Sequence, residues 1–421
     1  MPELQDLSGH TLTDWGILAV FVIVYLGMFL GGLPRLKLDR SGVALLGAIA
    51  VIALTGLPLE EAAQAIDLPT IVLLFAFMVI SAQMRLGGFY TAVTHRVAAA
   101  PLSRRGLLAV LIGVAGGLSA VFSNDIICLA MTPVVARLCL QRGLNPLPFL
   151  IGLACAANIG SAATLIGNPQ NMLIGSVLQL PFGAYVRQAL GPVVVSLALL
   201  WGWLAFGPGS NASALPNPPA PAGEPLPADE PAFDAWQTAK GLAVALALMV
   251  VFLFTDWPRE LAALVGAGVL LLSRRLQSSR VMGLVDWPLL VLFMGLFVVH
   301  HAFESTGLAT QAVVAMAAHG IVLHDPGTLL VVSALLSNAV SNVPAVMLLL
   351  PHLGADPAQA GTLLALASTF AGNLLLVGSI ANLIVADLAQ KQGIHIGWRQ
   401  HAATGVPVTL ASLAVLWWWM V

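Results

Sequence analysis

The chain has 421 residues, 59% of them hydrophobic and only 9% charged, with a formal net charge of −2. A water-soluble domain carries about a quarter charged residues, so this composition excludes an ordinary soluble protein. The near-neutral balance gives no footing for a nucleic-acid partner either.

From the N-terminus, an acidic stretch (Glu3, Asp6, Asp14) precedes the first apolar run, so no cleavable basic leader is expected. Runs long enough to cross a bilayer as helices follow at 13–33, 42–57, 69–86, 146–180 and 184–206. Five more lie at 238–255, 260–273, 286–304, 361–390 and 402–420. The dyad alternation of a membrane β-barrel is absent, so the expected fold is an all-α polytopic membrane protein. Two further regions, 106–141 and 326–353, are apolar but interrupted at the centre by polar residues. Each is expected to be a re-entrant hairpin, because non-helical backbone survives at membrane depth only inside protein or a wet cavity. Cys128, Cys139 and Cys155 sit in apolar segments and read as small buried side chains, without disulfide or metal-ligand spacing.

Between the two sets of spans, "GPGSNASALPNPPAPAGEPLPADEPAFD" is rich in Pro, Ala and acid and cannot bury enough apolar surface to fold. The expected organisation is a first membrane repeat at 1–206, a cytoplasmic linker at 207–236 and a second membrane repeat at 237–421. With hairpins that return to their own side, Arg35, Lys37, Arg40, Arg85, Arg96, Arg104, Arg105, Arg137, Arg142, Lys240, Arg274, Arg275, Arg280, Lys391 and Arg399 share one side. Only Arg187 and Arg259 fall opposite, so the positive-inside rule places both termini outside a cell inner (cytoplasmic) membrane.

The halves read as copies. "DLPTIVLLFAFMVISAQMRLGGF" aligns with "DWPLLVLFMGLFVVHHAFESTGL" at an offset of 219, and the same offset pairs "ALLGA" with "ALVGA". "SNDIICLAMTP" pairs with "SNVPAVMLLLP" at 218, and Gly167 with Gly378 at 211. Five spans per copy is an odd number, so the second copy is expected to insert upside down, as an inverted-topology repeat of the secondary-transporter kind.

In such folds the sites lie near the midplane, where discontinuous helices break. "GNPQN" (167–171) and "GSIAN" (378–382) are the expected breaks, because Gly permits unusual backbone angles and Pro169 removes a donor. Ser123–Asn124 and Ser341–Asn342 are the expected hairpin tips. Candidate coupling-ion residues are Ser123, Asn124, Asp125, Gly167, Asn171, Ser341, Asn342 and Gly378. Candidate substrate residues are Asn124, Asn168, Asn342, Asn373, Ser379 and Asn382. Asp125 is singled out because a carboxylate at membrane depth is costly and by default functional; the plainer alternative is a helix cap. Its repeat mate is Val343, so coupling chemistry is expected mainly in the first half. His300, His301 and Glu304 read as a solvated interfacial cluster, Arg85 as snorkelling, and Trp417–Trp419 as an aromatic belt.

Ser-Asn tips followed by a broken helix containing G-N-P-Q-N resemble the ion transporter superfamily. It includes arsenite-pump permeases, citrate permeases, divalent anion/sodium symporters and sodium/proton antiporters. "GNPQNMLIG", "SNVPAVMLLLP" and "GSIANLIVAD" look closest to anion-permease relatives of the arsenite-permease branch. The resemblance implies a scaffold, a mobile transport region carrying the site, and often a homodimer. Its dicarboxylate symporters read Ser-Asn-Thr at both tips, whereas Asp125 and Val343 stand in the third positions here, which counts against dicarboxylates.

The expected function is secondary active transport of a small oxyanion or oxyacid, coupled to protons or sodium, with arsenite or antimonite efflux the most specific version. A sodium/proton antiporter without an anion substrate and a sodium-coupled carboxylate transporter remain alternatives. The closed hairpins argue against a channel. No nucleotide, metalloprotease or nucleophile-elbow motif points to an enzyme. No cofactor is expected beyond a coupling sodium ion or proton, and the expected partners are the lipid bilayer and a small inorganic or organic anion.

Overall fold

The computed structural model describes residues 11–33, 36–207, 232–354 and 356–421. Arg35 and nearly all of the expected linker (208–231) therefore lie outside the described residues. Within them the chain is helical throughout, without strands.

The first half runs α1 (Leu12–Leu30), α2 (Arg40–Thr55), α3 (Leu59–Gln64), α4 (Leu68–Leu86) and α5 (Phe89–Ala99). It continues with α6 (Arg104–Ser119), α7 (Asn124–Gln141), α8 (Leu147–Ser161), α9 (Pro169–Val177) and α10 (Phe182–Phe206). The second half repeats that order. It runs α11 (Ala235–Phe254), α12 (Arg259–Leu271), α13 (Ser278–Met282), α14 (Trp287–Ser305) and α15 (Leu308–Ala318). Then come α16 (Pro326–Val340), α17 (Asn342–Leu349), α18 (Pro357–Ala371), α19 (Ile380–Gln390) and α20 (Trp398–Met420).

Local chemistry sets several helix starts. Thr11 and Asp14 close a capping box on α1, Thr11 N donating to Asp14 Oδ2 at 2.8 Å and Asp14 N to Thr11 Oγ1 at 3.2 Å. Asp67 caps α4 through Thr70 N at 2.8 Å, and Asp286 caps its counterpart α14 through Leu289 N at 3.0 Å. Among the described residues, α1, α4, α7, α10, α11, α14 and α20 are long and apolar enough to cross a membrane. The chain is a polytopic membrane protein.

All the apolar runs of the sequence reappear as helices. The run at 146–180 divides into α8 and α9, and 361–390 into α18 and α19. Residues 106–141 form α6 and α7 around a turn at 120–123, and 326–353 form α16 and α17 around Ser341. Helices α3, α5, α13 and α15 were not foreseen, because none carries an apolar run of spanning length.

The halves interlock by exchanging partners. α2 packs on α14 while α4 packs on α12; α7 packs on α19 while α17 packs on α9; α10 packs on α20. Small residues allow these approaches, as in membrane helix pairs generally. A Cβ added to Gly295 of α14 would lie 2.7 Å from the Ala44 carbonyl carbon of α2. Within the first half, one added to Gly160 of α8 would collide with the Gly116 backbone of α6.

Candidate functional site

Each hairpin turns at its Ser-Asn pair. Ser123 and Ser341 are the N-caps of α7 and α17, so Asn124 and Asn342 take the first helical position. Ser123 has ordinary extended backbone angles, but Ser341 has φ 79° and ψ 158°, a region nearly reserved for glycine. Backbone strain is thus concentrated at one tip.

Each tip meets the helix break of its own half. Asn124 N donates to Gly167 O at 3.3 Å. Gly167 has no room for a side chain: a Cβ there would collide with Ser161 O and lie 2.8 Å from Ser119 O. In the second half a Cβ on Gly378 would lie 2.9 Å from Asn338 Oδ1, and one on Gly372 3.1 Å from Asn342 Nδ2. Glycine at these breaks lets carbonyl and amide groups crowd together.

Behind the tips, Asn158 of α8 joins the halves. Its Oδ1 accepts from Asn124 Nδ2 at 3.0 Å and Ser379 Oγ at 2.9 Å. Its Nδ2 donates to Asn373 Oδ1 at 2.8 Å and Asn382 Oδ1 at 3.1 Å. All four positions of that amide are used. Asn382 Nδ2 in turn donates to Gly372 O at 2.9 Å, tying down the second break. On the first side, Asn168 Oδ1 accepts from Asn171 N at 2.9 Å, capping α9. Asn168 Nδ2 donates to Ser161 Oγ at 2.9 Å and Thr369 Oγ1 at 3.2 Å, and Asn171 Nδ2 donates to Tyr185 OH at 3.0 Å. His401 of α20 lies with Nε2 2.9 Å from Asn373 O, backing the second break.

In front of the tips is a small cavity of about 50 Å³. Asn124, Asp125, Pro169, Gln170, Ser341, Asn342, Val343, Pro344, Ser379 and Ile380 line it, with Arg40 and an apolar wall of Met28, Leu289, Leu292 and Phe293. The first turns of α7, α9, α17 and α19 therefore face one space, and helix N-termini carry partial positive charge. Asp125 sits at the second helical position of α7, not at the cap, and its carboxylate has no hydrogen bond or ion pair among the described residues.

Several buried acceptors are unpartnered, in repeat-related pairs: Asn124 Oδ1 with Asn342 Oδ1, and Ser119 Oγ with Ser337 Oγ. Each unpartnered buried group costs about 1–3 kcal/mol, which a bound water or ligand would relieve. Neutral oxygens of this kind are hard donors.

Of the residues singled out in the sequence, Asn124, Asp125, Ser341, Asn342 and Ser379 line the cavity. Asn168, Asn171, Asn373 and Asn382 are buried behind it, holding the breaks in place, as are Gly167 and Gly378. Ser123 is half-buried at its tip. The sequence reading missed Asn158, Gln170, Thr369, Arg40 and His401. Asn158 was the findable one, the sole amide in the apolar run "LPFLIGLACAANIGS". Of the histidine cluster expected to be solvated, His300 departs: it is only 9% exposed, with Nε2 3.3 Å from Glu304 Oε1, whose side chain is 35% exposed. His301 is exposed as expected. Cys128, Cys139 and Cys155 are free and buried.

Comparison with known proteins bears on this geometry. A family model described as "Citrate transporter" matches residues 19–362. The chain is 29% identical to the silicon efflux transporter LSI3 of Oryza sativa subsp. japonica, over 91% of this chain and 92% of that protein. It is 32% identical to the inner membrane protein YbiR of Escherichia coli, over 84% and 86% of the two chains. The crystal structure of the YdaH transporter of Alcanivorax borkumensis shares the fold, with a TM-score of 0.57 at 14% identity over 96% of each chain.

Proposed function

This chain belongs to the citrate transporter family, and on that premise we propose that it is a secondary active transporter of a small oxyanion or oxyacid, driven by protons or sodium through alternating access. The observation that carries the proposal is the convergence of four helix N-termini, two from each half, on one cavity. Their dipoles favour an anion or a polar oxyacid between them.

Asn124, Asn342 and Ser379 are the proposed substrate contacts, with Asn168, Asn373 and Asn382 fixing the breaks that present them. The unpartnered oxygens at the tips suit a sodium ion, and Asp125 adds a carboxylate able to bind sodium or carry a proton. Coupling is assigned mainly to Ser123, Asn124, Asp125, Gly167 and Asn171. Ser341, Asn342 and Gly378 form the repeat-related site, which mainly completes the substrate cavity.

The halves, bounded as 1–206 and 237–421 around a cytoplasmic linker, are proposed to insert with opposite orientation, both termini outside, in the inner membrane and as a homodimer. Arsenite or antimonite efflux is the most specific version, and a relative named for silicon efflux fits a small hydroxylated oxyacid. The family description favours a carboxylate instead, while the missing tip threonines count against it. Sodium/proton exchange without an anion is kept as a second reading because of the unpaired Asp125 carboxylate.

Ligands that bind the native state stabilise it by mass action, so a thermal-shift screen of the purified protein tests the assignment. Arsenite, antimonite, silicic acid, citrate, succinate, sulfate and phosphate are each tried with and without sodium. The expected result is stabilisation by one oxyacid or oxyanion, increased by sodium or by a pH change. Stabilisation by sodium or pH alone favours the antiporter; no response to any condition contradicts the proposal.

A further inference from the structure

The equivalent helices α2 and α12 each begin with an arginine, Arg40 and Arg259, at the first helical position and 219 residues apart. The two side chains are in different states. Arg259 Nη2 donates to Gly175 O at 2.6 Å, stitching α12 to the last turn of α9. That carbonyl lies at the negative end of the helix, where a guanidinium is well placed. A Cβ on Gly175 would lie 3.2 Å from Arg259 Nη1, so the glycine leaves the guanidinium its room.

Arg40 has no hydrogen bond or ion pair among the described residues and lines the cavity beside Asn124, Asp125 and Asn342. Its neighbour Asp39 does not hold it, because Asp39 Oδ1 accepts from Ser41 Oγ at 2.7 Å and Gly42 N at 2.9 Å. The repeat-related target of Arg40 is the last turn of α19, the counterpart of α9, which carries Asp387 in a surface pair with Lys391 at 2.7 Å. The contacts of α2 with α14 and of α12 with α4 are matched between the halves; at these two arginines the match is broken.

We propose that Arg40 and Arg259 are alternating latches, the engaged one closing its side of the molecule while the released one lines the open cavity and meets the incoming anion. The inference rests on the alternating-access reading above. In the opposite state Arg259 releases Gly175 and Arg40 engages the end of α19, through its last carbonyls or Asp387. Two packings of one element, biased by which arginine is bound, form the two-state device that alternating access requires.

The test is a labelling rate. A Leu289→Cys reporter in the cavity wall is placed in full-length protein whose Cys128, Cys139 and Cys155 are replaced by alanine, purified and reconstituted in nanodiscs, and reacted with a hydrophilic maleimide. Arg259→Gln removes the engaged latch and is expected to slow labelling about fivefold or more, as the cavity side closes. Arg40→Gln cannot hold the opposite state and is expected to leave the rate at or above that of the parent. Arg259→Lys, which keeps a donor for the carbonyl, should fall between. All variants must elute as a single species, so that slowing cannot be ascribed to lost fold. An unchanged rate in Arg259→Gln, or slowing by both glutamine variants, overturns the latch. Gradient-driven flux of the parent in liposomes separates the two failures. Flux with unchanged labelling sinks the latch alone, whereas no flux sinks alternating access and the latch with it.

Discussion

At Asp125 two explanations for a half-buried carboxylate part company. A helix cap would occupy the residue before α7, but Ser123 holds that place and Asp125 stands two positions later, facing the cavity. Asp125→Asn keeps size and hydrogen bonding while removing the titrating charge. It should reduce sodium- or proton-driven flux at least about tenfold, since one charge-assisted contact to a bound cation is worth roughly 1.5–3 kcal/mol. Flux with unchanged ion dependence would return Asp125 to a structural role. Ser341 poses the opposite case, a strained tip residue whose angles suit glycine. Ser341→Gly should stabilise the purified protein by about 1 kcal/mol or more while lowering transport, read as a raised unfolding midpoint with reduced flux. The Ser-Asn tips were legible in the sequence because they recur at matching positions. Arg40 was not, since a basic residue at a helix end reads first as a marker of sidedness.

Among the elements, α6 and α8 cross with their backbones in close approach. Gly160→Ala places a methyl against the Gly116 backbone and should destabilise the protein by roughly 1–3 kcal/mol or block accumulation, measured as lost folded yield in detergent. Asn158 is a different kind of junction. Asn158→Ala strands partners on Asn124, Ser379, Asn373 and Asn382, and should cost about 2–4 kcal/mol with transport lost. An Asn158→Ala protein with parental stability and flux would remove the hub from the account. The breaks between α8 and α9 and between α18 and α19 could be located from Gly167, Pro169 and Gly378, which name a backbone event. The hub was harder to see, because one asparagine in an apolar helix is also what ordinary interhelical hydrogen bonding looks like. The short α3, α5, α13 and α15 left no apolar run of spanning length to find.

For the whole molecule, the sequence offsets of 219, 218 and 211 correspond to two helix series in the same order whose members exchange partners across the interface. Repetition was readable at a distance because corresponding helices kept their register, whereas the route by which α7 reaches α19 and α17 reaches α9 depends on tertiary packing that no single segment encodes. Those exchanged contacts bring both hairpin tips to one cavity. The central claim is that this shared cavity moves an anion or oxyacid only when an ion gradient drives it. The most direct measurement is flux of the ligand found by thermal shift, in proteoliposomes under imposed sodium or pH gradients, for the parent, Asn124→Ala and Asn342→Ala. The account predicts accumulation against the ligand's own gradient in the parent, its collapse when an ionophore dissipates the driving gradient, and loss of at least about tenfold in each asparagine variant that still inserts. Flux that persists undiminished after the gradients are dissipated, or near-parental accumulation by both variants, would contradict it.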